Sequence, residues 1–162
     1  MPNISKSTVE STENVARAIF LPAMVDLSGK VSRAAFYLRH NESYFSVARM
    51  SVNGWQEDIF AIPQNESRRL VGFARMNVGE IRNLELSFYD CHISFDVVDK
   101  STEKNNSHSG ITVALNDVHL SGDKAKILKP IPENMPASML LLKIQSCLAK
   151  LANKGLTRFT NE

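Results

Sequence analysis

Apolar and polar residues alternate within 87–98, where every second residue from Tyr89 to Val97 is apolar and the residues between them are polar. Alternation returns along 111–116. Successive residues of a strand point to opposite faces of a sheet, so both segments predict strands with one face turned to the core.

Three further segments are rich in β-branched and aromatic residues and predict strands. They are 31–39, 44–50 and 69–76. The polar residues His40–Ser43 are expected to form the turn between the first two. Apolar residues of 15–26 recur at helical spacing instead, and Pro22 ends any helix near Leu21.

The clearest helix signal lies in 136–155. Its apolar residues between Leu140 and Leu151 recur at i, i+4, i+7, i+8 and i+11, which makes a single stripe that needs a partner. A lysine and a glycine then give a favourable C-terminal signal. Shorter helices are expected at 55–62 and after Asn77, whose side-chain oxygen can accept a free backbone N–H.

These elements indicate an α+β fold, since the regular strand–helix alternation of a parallel doubly wound sheet is missing. We expect an antiparallel or mixed sheet of about five strands, with the long C-terminal helix packed on one face. The polar residues 1–14 are expected to form a disordered tail. The remainder, 15–158, is expected to form a single globular domain.

The length and composition are those of one soluble domain. The 162 residues include 43% hydrophobic and 22% charged residues, which is ordinary for a globular protein. Cys91 and Cys147 cannot supply the several disulfides of a small secreted domain. The polar N-terminus lacks the features of a secretory signal, and no stretch approaches the ~20 apolar residues that span a bilayer. We therefore expect a cytoplasmic protein with no membrane partner.

The net charge of +2 is too small to indicate nucleic-acid binding by the whole chain. From Gly122 onward, seven lysines and arginines stand against three acidic residues. Lysines on the solvent face of a terminal helix explain this excess more simply than a phosphate-facing patch does. Nucleic acid is not the expected partner, although association through the basic C-terminal third remains an alternative.

Motifs for common cofactors are missing from the sequence. There is no G-x-G-x-x-G, P-loop, H-E-x-x-H, C-x-x-C or nucleophile elbow, and the chain has only seven glycines. The sequence therefore disfavours the common nucleotide-dependent enzymes, and we expect no cofactor.

Histidine offers the main candidate for acid–base chemistry. His92 follows Cys91, but neighbouring strand residues point to opposite faces and cannot pair as base and nucleophile. His108 lies in "NNSHSGI", where a polar loop enters a strand beside a glycine, a position that often binds or catalyses. Its ring could instead tether the loop. A metal site would need His108 to meet His119 or another ligand, which no spacing specifies, and we expect none.

A short pattern occurs twice, as "HNESYFSVARM" and "QNESRRLVGFARM". In each copy an arginine, Arg49 or Arg75, follows two apolar residues of the same parity. Such a guanidinium must reach the rim of the sheet, pair with a carboxylate or bind an anion. The likeness does not extend outward, so it indicates one local structure used twice rather than a duplicated unit of ~20 residues or more.

The stretches "GKVSRAAFYLR", "YFSVARM" and "NNSHSGI" resemble a family of small uncharacterised bacterial proteins with the pattern V-S-x-x-A-F, an acidic residue, F-S-V and S-H-x-x-I. The matching positions are Val31, Ser32, Ala35, Phe36, Glu42, Phe45, Ser46, Val47, Ser107, His108 and Ile111. Ser109 stands where the family usually has alanine. The resemblance spans about Leu21 to the C-terminal helix, and it implies an architecture and candidate positions but no activity.

We expect a small binding or regulatory protein with a polar groove near His108, acting on a protein partner or a small ligand. The residues expected to border the groove are Arg33, Glu42, Ser46, Arg49 and Ser107. The alternative is a hydrolase or transferase in which His108 is the general acid/base and an arginine stabilises an anionic group. The oligomeric state is left open.

Overall fold

The computed structural model describes residues 8–38, 42–120 and 136–159. Within these ranges, eight strands form one sheet. The strands are β1 (Asn14–Leu21), β2 (Phe45–Arg49), β3 (Arg69–Asn77), β4 (Leu86–Phe88), β5 (Cys91–Asp99), β6 (His108–Leu115), β7 (Val118–His119) and β8 (Leu156–Arg158).

Four helical segments accompany the strands in the described part of the chain. They are a 3-10 helix (Arg33–Phe36), α1 (Trp55–Phe60), α2 (Val78–Arg82) and α3 (Ala137–Asn153). The expected cap of α2 is confirmed, because the Asn77 side-chain oxygen accepts the Glu80 backbone N–H at 3.0 Å. None of these helices has both the length and the apolar composition that crossing a bilayer requires.

The sheet has the strand order β4-β5-β6-β2-β1-β3-β8, and β7 pairs with β6. All of these pairings are antiparallel, so the predicted α+β class is confirmed in its antiparallel form. The expected number of strands, about five, is too low. Three of the additional strands contain only two or three residues, which is too short to show a period in the sequence.

The helix expected in 15–26 is wrong, because 14–21 forms β1. This strand lies between β2 and β3, and apolar side chains are buried on both of its faces. A strand buried on both sides loses the alternation that distinguishes it from a helix. The spacing of Val15, Ala18 and Ile19 therefore predicts a helix where the chain forms a strand.

The strand expected at 31–39 is also wrong. A 3-10 helix occupies 33–36, and it buries Ala35 and Phe36 under α3. The Asn153 side chain fixes this segment, since its amide accepts the Val31 N–H at 2.7 Å and donates to the Val31 carbonyl at 3.2 Å. Tertiary packing thus overrides the β propensity of these residues.

The single strand expected at 87–98 is a hairpin of β4 and β5. The chain reverses at Tyr89, whose φ of 55° is left-handed, and at Asp90. The alternation from Cys91 to Val97 is confirmed, because these apolar residues are buried and the residues between them are more exposed. The expected buried parity of 111–116 is confirmed in β6.

Apolar side chains cover both faces of the sheet. The main core joins one sheet face to the 3-10 helix, α2 and the predicted stripe of α3. The stripe residues buried there are Leu140, Ile144, Leu148 and Leu151. A smaller core lies on the opposite face, where Ile59 of α1 packs against Ala16, Ala48 and Phe20. Each sheet face therefore has its own apolar layer.

The N-terminal residues from Thr8 onward belong to this fold rather than to a loose tail. Val9 is only 2% exposed. Glu13 accepts two hydrogen bonds from the guanidinium of Arg49, at 2.9 and 2.8 Å, and Asp99 lies 3.9 Å from the same group. The hydrogen bonds between Glu13 and Arg49 thereby hold the N-terminal segment against β2.

Several expected loops fall outside the described residues. They are the turn at 121–123, the extended connection at 129–134 and the first half of the His40–Ser43 turn.

Breaking the ion pair of Glu13 is expected to destabilise the domain in a pH-dependent way. Burial raises the pKa of Glu13, but hydrogen bonds from Arg49 and Ser51 outweigh it and lower the pKa from 4.5 to about 2. A lowered folded-state pKa gives stability that is present above pH 4.5 and is lost as the pH falls through about 2. Glu13→Gln should therefore cost about 3 kcal/mol at neutral pH.

Urea unfolding across this pH range measures the effect. The wild type and Glu13→Gln should converge near the lowest pH, where the wild-type carboxyl is protonated. Glu85→Gln, at an exposed position, is the matched control and should follow the wild type throughout. A constant difference between Glu13→Gln and the wild type at all pH values contradicts the assignment.

Candidate functional site

A cavity of about 440 Å³ lies on the α1 side of the sheet. Ala16 and Ala18 of β1 and Ala48 of β2 face this side and line the cavity. Because these side chains are small, the sheet does not fill the space beneath α1. We call this space the cavity throughout.

The cavity has apolar sides and a smaller number of polar groups. Phe20, Met24, Ile59 and Ile62 supply the large apolar side chains. The polar and charged residues that line it are Arg17, Glu42, Ser46, Asp58, Ser67, Arg68, Asn105 and His108. A mostly apolar concave surface with a few convergent polar groups is the usual composition of a small-molecule site.

Three of the residues expected at the site meet here. His108, Ser46 and Glu42 all line the cavity. Ser46 pairs with Gly110 in the β2–β6 ladder, and Ala48 pairs with His108, so the serine and the histidine are diagonal neighbours on one face. Their side chains touch, with Nε2 of His108 3.2 Å from the Ser46 hydroxyl.

His108 is held as a neutral ring at neutral pH. Burial lowers its pKa below the ordinary value of 6.5, and this outweighs a hydrogen bond to the backbone of Lys100, which raises the pKa. A bond that raises the pKa of histidine is one donated by a ring N–H to a carbonyl. Because Nε2 faces Ser46, we assign that N–H to Nδ1, which leaves Nε2 to accept the Ser46 O–H.

Gly110 explains how the ring is packed. The side chain of Tyr44 lies directly against this glycine, where a Cβ atom would overlap the ring. Tyr44 also lies 5.7 Å from the His108 ring, and the Lys100 ammonium sits 4.9 Å from the tyrosine ring centre. The glycine in "SHSGI" thus permits the close approach of another group, as its position suggests.

Ser107 supports the site from beneath rather than lining it. Its side chain is fully buried. The hydroxyl donates to Oδ2 of Asp58 at 2.5 Å, and the Ser107 backbone N–H donates to the same oxygen at 3.3 Å. These bonds join α1 to the loop that carries His108, so they set the width of the cavity at this end.

The structure does not bring Arg33 or Arg49 to the cavity. Arg33 is exposed on the 3-10 helix. Arg49 points to the opposite face of the sheet, where it is buried and pairs with Glu13. Arg75 of the second Asn-Glu-Ser copy pairs with Ala16 across β1 and is exposed, so the two arginines of the repeated pattern have different surroundings.

Five polar residues of the cavity are missing from the sequence prediction. Arg17 donates to the Ala35 carbonyl at 3.0 and 2.8 Å and to the Ser46 carbonyl at 2.6 Å, which ties the 3-10 helix to β2. A charged residue inside an apolar strand is a signal that could have found it. The guanidinium of Arg68 lies 4.3 Å from the Phe20 ring. The other three, Asp58, Ser67 and Asn105, lie in ordinary polar surroundings in the sequence.

No protein-family model, curated protein or solved structure matches this chain. The resemblance to a bacterial family therefore stays a prediction. Among the described residues, no three His, Cys, Asp or Glu side chains are grouped so that they could hold a metal ion. The function has to be argued from the cavity itself.

Two buried serines on the same strand segment provide a matched test of the Asp58 contact. Ser107→Ala removes a hydroxyl that donates to a carboxylate, and we expect a loss of about 2 kcal/mol in the free energy of unfolding. The Ser109 hydroxyl is equally buried but has no hydrogen-bond partner among the described residues. Ser109→Ala should therefore be neutral or stabilising. Urea unfolding of both variants decides, and equal losses would contradict this account.

Proposed function

We propose that the protein binds a small molecule in the cavity. The observation that carries the proposal is the meeting of His108, Ser46 and Glu42 on a space of about 440 Å³ whose floor is made of alanines. Such a volume suits a drug-sized or metabolite-sized ligand. The apolar sides supply affinity, and the polar groups at the His108 end supply orientation.

Binding ranks above catalysis because of where Ser46 lies. It is the second residue of β2 and pairs with Gly110 of β6, so it lies within the sheet rather than on a turn. Nucleophilic serines are commonly placed on a sharp turn beside unpaired backbone N–H groups that can stabilise an oxyanion. A protein partner is less well matched, since the polar groups converge inside a concave space rather than on an open surface.

Filling the cavity is expected to abolish binding. Ala48 is 6% exposed, and Ala48→Leu places three additional carbon atoms on the cavity floor. A small-molecule library is screened by thermal shift on the wild type, because a ligand of the folded state stabilises it by mass action. Compounds that stabilise the wild type should lose this effect in Ala48→Leu and weaken in His108→Ala.

Two control variants separate this result from general damage. Ala61→Leu adds the same atoms at an exposed position just after α1, and His92→Ala removes an exposed histidine of β5. Both should keep the wild-type response. If Ala48→Leu does not fold, Ala18→Val replaces it, because valine adds fewer atoms to the cavity. Binding that survives in folded Ala48→Leu or Ala18→Val would refute the proposal, and so would a screen without any hit.

A hydrolase is the second candidate, and the Ser46–His108 contact favours it. A neutral imidazole with Nε2 facing a hydroxyl is the arrangement that activates a serine nucleophile. The hydrogen bond to the backbone of Lys100 takes the place of the usual orienting carboxylate. Arg17, rather than Arg33 or Arg49, contacts this pair, because it donates a hydrogen bond to the Ser46 carbonyl.

Diisopropyl fluorophosphate tests this second candidate. In the expected step the Ser46 oxygen forms a bond to phosphorus, the P–F bond breaks, fluoride leaves and the serine proton passes to Nε2 of His108. Mass spectrometry should find one phosphoryl adduct on Ser46, none in Ser46→Ala, and labelling at least about 100-fold slower in His108→Ala. Ser87→Ala, an exposed serine, should label normally. A wild type that stays unlabelled excludes the hydrolase.

A further inference from the structure

The charged residues that line the cavity balance one another. Among the described residues, the positive charges of Arg17 and Arg68 stand against the negative charges of Glu42 and Asp58. Burial lowers the pKa of His108, so its ring is neutral at neutral pH and adds no charge. The described lining therefore has no net charge that would attract a ligand of one sign.

Both arginines of the lining already interact with other parts of the protein. The guanidinium of Arg17 donates hydrogen bonds to the Ala35 carbonyl, at 3.0 and 2.8 Å, and to the Ser46 carbonyl at 2.6 Å. The guanidinium of Arg68 lies 4.3 Å from the centre of the Phe20 ring, within the range of a cation–π contact. The protein itself thus engages both cations, and an anionic ligand would have to compete for them.

The two carboxylates of the lining are engaged as well. Oδ2 of Asp58 accepts hydrogen bonds from the hydroxyl and the backbone N–H of Ser107, at 2.5 and 3.3 Å. Glu42 also interacts with another residue. Burial is the main cause of the lowered pKa of His108, and the charges of Lys100 and Asp58 act on that pKa in opposite directions. Neither sign of charge therefore prevails at the polar end of the cavity.

A charged ligand would lose its hydration in this space without meeting an uncompensated opposite charge. Moving an ion from water into an apolar environment is costly unless the ion is paired there. An uncharged molecule avoids this cost and still gains by covering the apolar side chains of Phe20, Met24 and Ile59. One neutral polar group can join the Ser46–His108 pair, since the serine hydroxyl is able both to donate and to accept.

We propose that the ligand is an uncharged, largely apolar molecule whose one polar group, a hydroxyl or a similar neutral group, lies beside Ser46 and His108. This inference rests on the proposed binding function and names the chemical class of the ligand. It excludes molecules that carry a phosphate, a carboxylate or an ammonium group. Because the preference comes from balanced charges, removing one of them should shift it in a known direction.

Three probes with one phenyl ring and a two-carbon chain test the charge of the ligand. They are 2-phenylethanol, 2-phenylethylamine and 3-phenylpropanoate, and their affinities are measured by NMR titration at neutral pH and up to millimolar concentration. The alcohol should bind about tenfold or more tightly than either ion, because only the ions lose hydration without compensation. Equal or tighter binding of either ion would overturn the proposal.

Variants that unbalance the lining test the cause of the preference. Glu42→Gln leaves a positive charge in excess, so the carboxylate should gain about fivefold over the amine. Arg68→Gln leaves a negative charge in excess, so the amine should gain over the carboxylate by a similar factor. The affinity of the alcohol should change much less in both variants.

Two exposed charges outside the lining provide matched controls. Glu57→Gln and Arg75→Gln remove one charge of each sign from the surface, and both should leave all three affinities as they are in the wild type. The proposal is overturned if folded Glu42→Gln and Arg68→Gln shift the two ions in the same direction, or if neither variant shifts them.

The two proposals fail in different ways. If an ion binds more tightly than the alcohol and Ala48→Leu abolishes this binding, the binding function stands and the assignment of an uncharged ligand is lost. If none of the three probes binds, the library hits decide in the same way: uncharged hits support the assignment, and charged hits overturn it. If neither the probes nor the library gives a ligand, both proposals fall.

Discussion

Small side chains at the centre of the sheet are the constraint on which the cavity depends. Ala16, Ala18 and Ala48 face the α1 side from adjacent strands, and their side chains are too small to fill the space beneath that helix. Protein interiors are normally packed to the density of organic crystals. A space of this size therefore forms only where the lining side chains are too small to fill it. A larger side chain at one of these positions would occupy part of this space.

The two faces of the sheet are packed differently. On the α3 face, a continuous apolar core and the Arg49–Glu13 pair hold the domain together. On the α1 face, the core is small and the polar contacts join loops to strands, as in the bond between Ser107 and Asp58. The cavity can therefore vary in its lining while most of the folding energy is kept elsewhere.

Much of the fold can be predicted from the sequence, and the wrong predictions have physical causes. A segment with one buried face, such as β5, keeps its period-2 pattern, and the stripe of α3 keeps its period of 3.6. In β1 burial on both faces erases the pattern, and at 33–36 packing under α3 overrides propensity. For the site, His108 is predicted because it lies where a polar loop enters a strand, and Ser46 because it belongs to the pattern of the resembled family. Asp58 and Asn105 depend on a tertiary contact that no local pattern encodes.

The placement of β6 beside β2 has a consequence for the order of folding. The serine and the histidine that meet in the cavity are 62 positions apart, and three strands and two helices separate them along the chain. Closing so long a loop costs conformational entropy before any contact is gained, and sheets built from such distant pairings fold slowly. The pairing of β2 with β6 brings Ser46 and His108 together, so a chain in which this pairing has not formed lacks the polar end of the cavity.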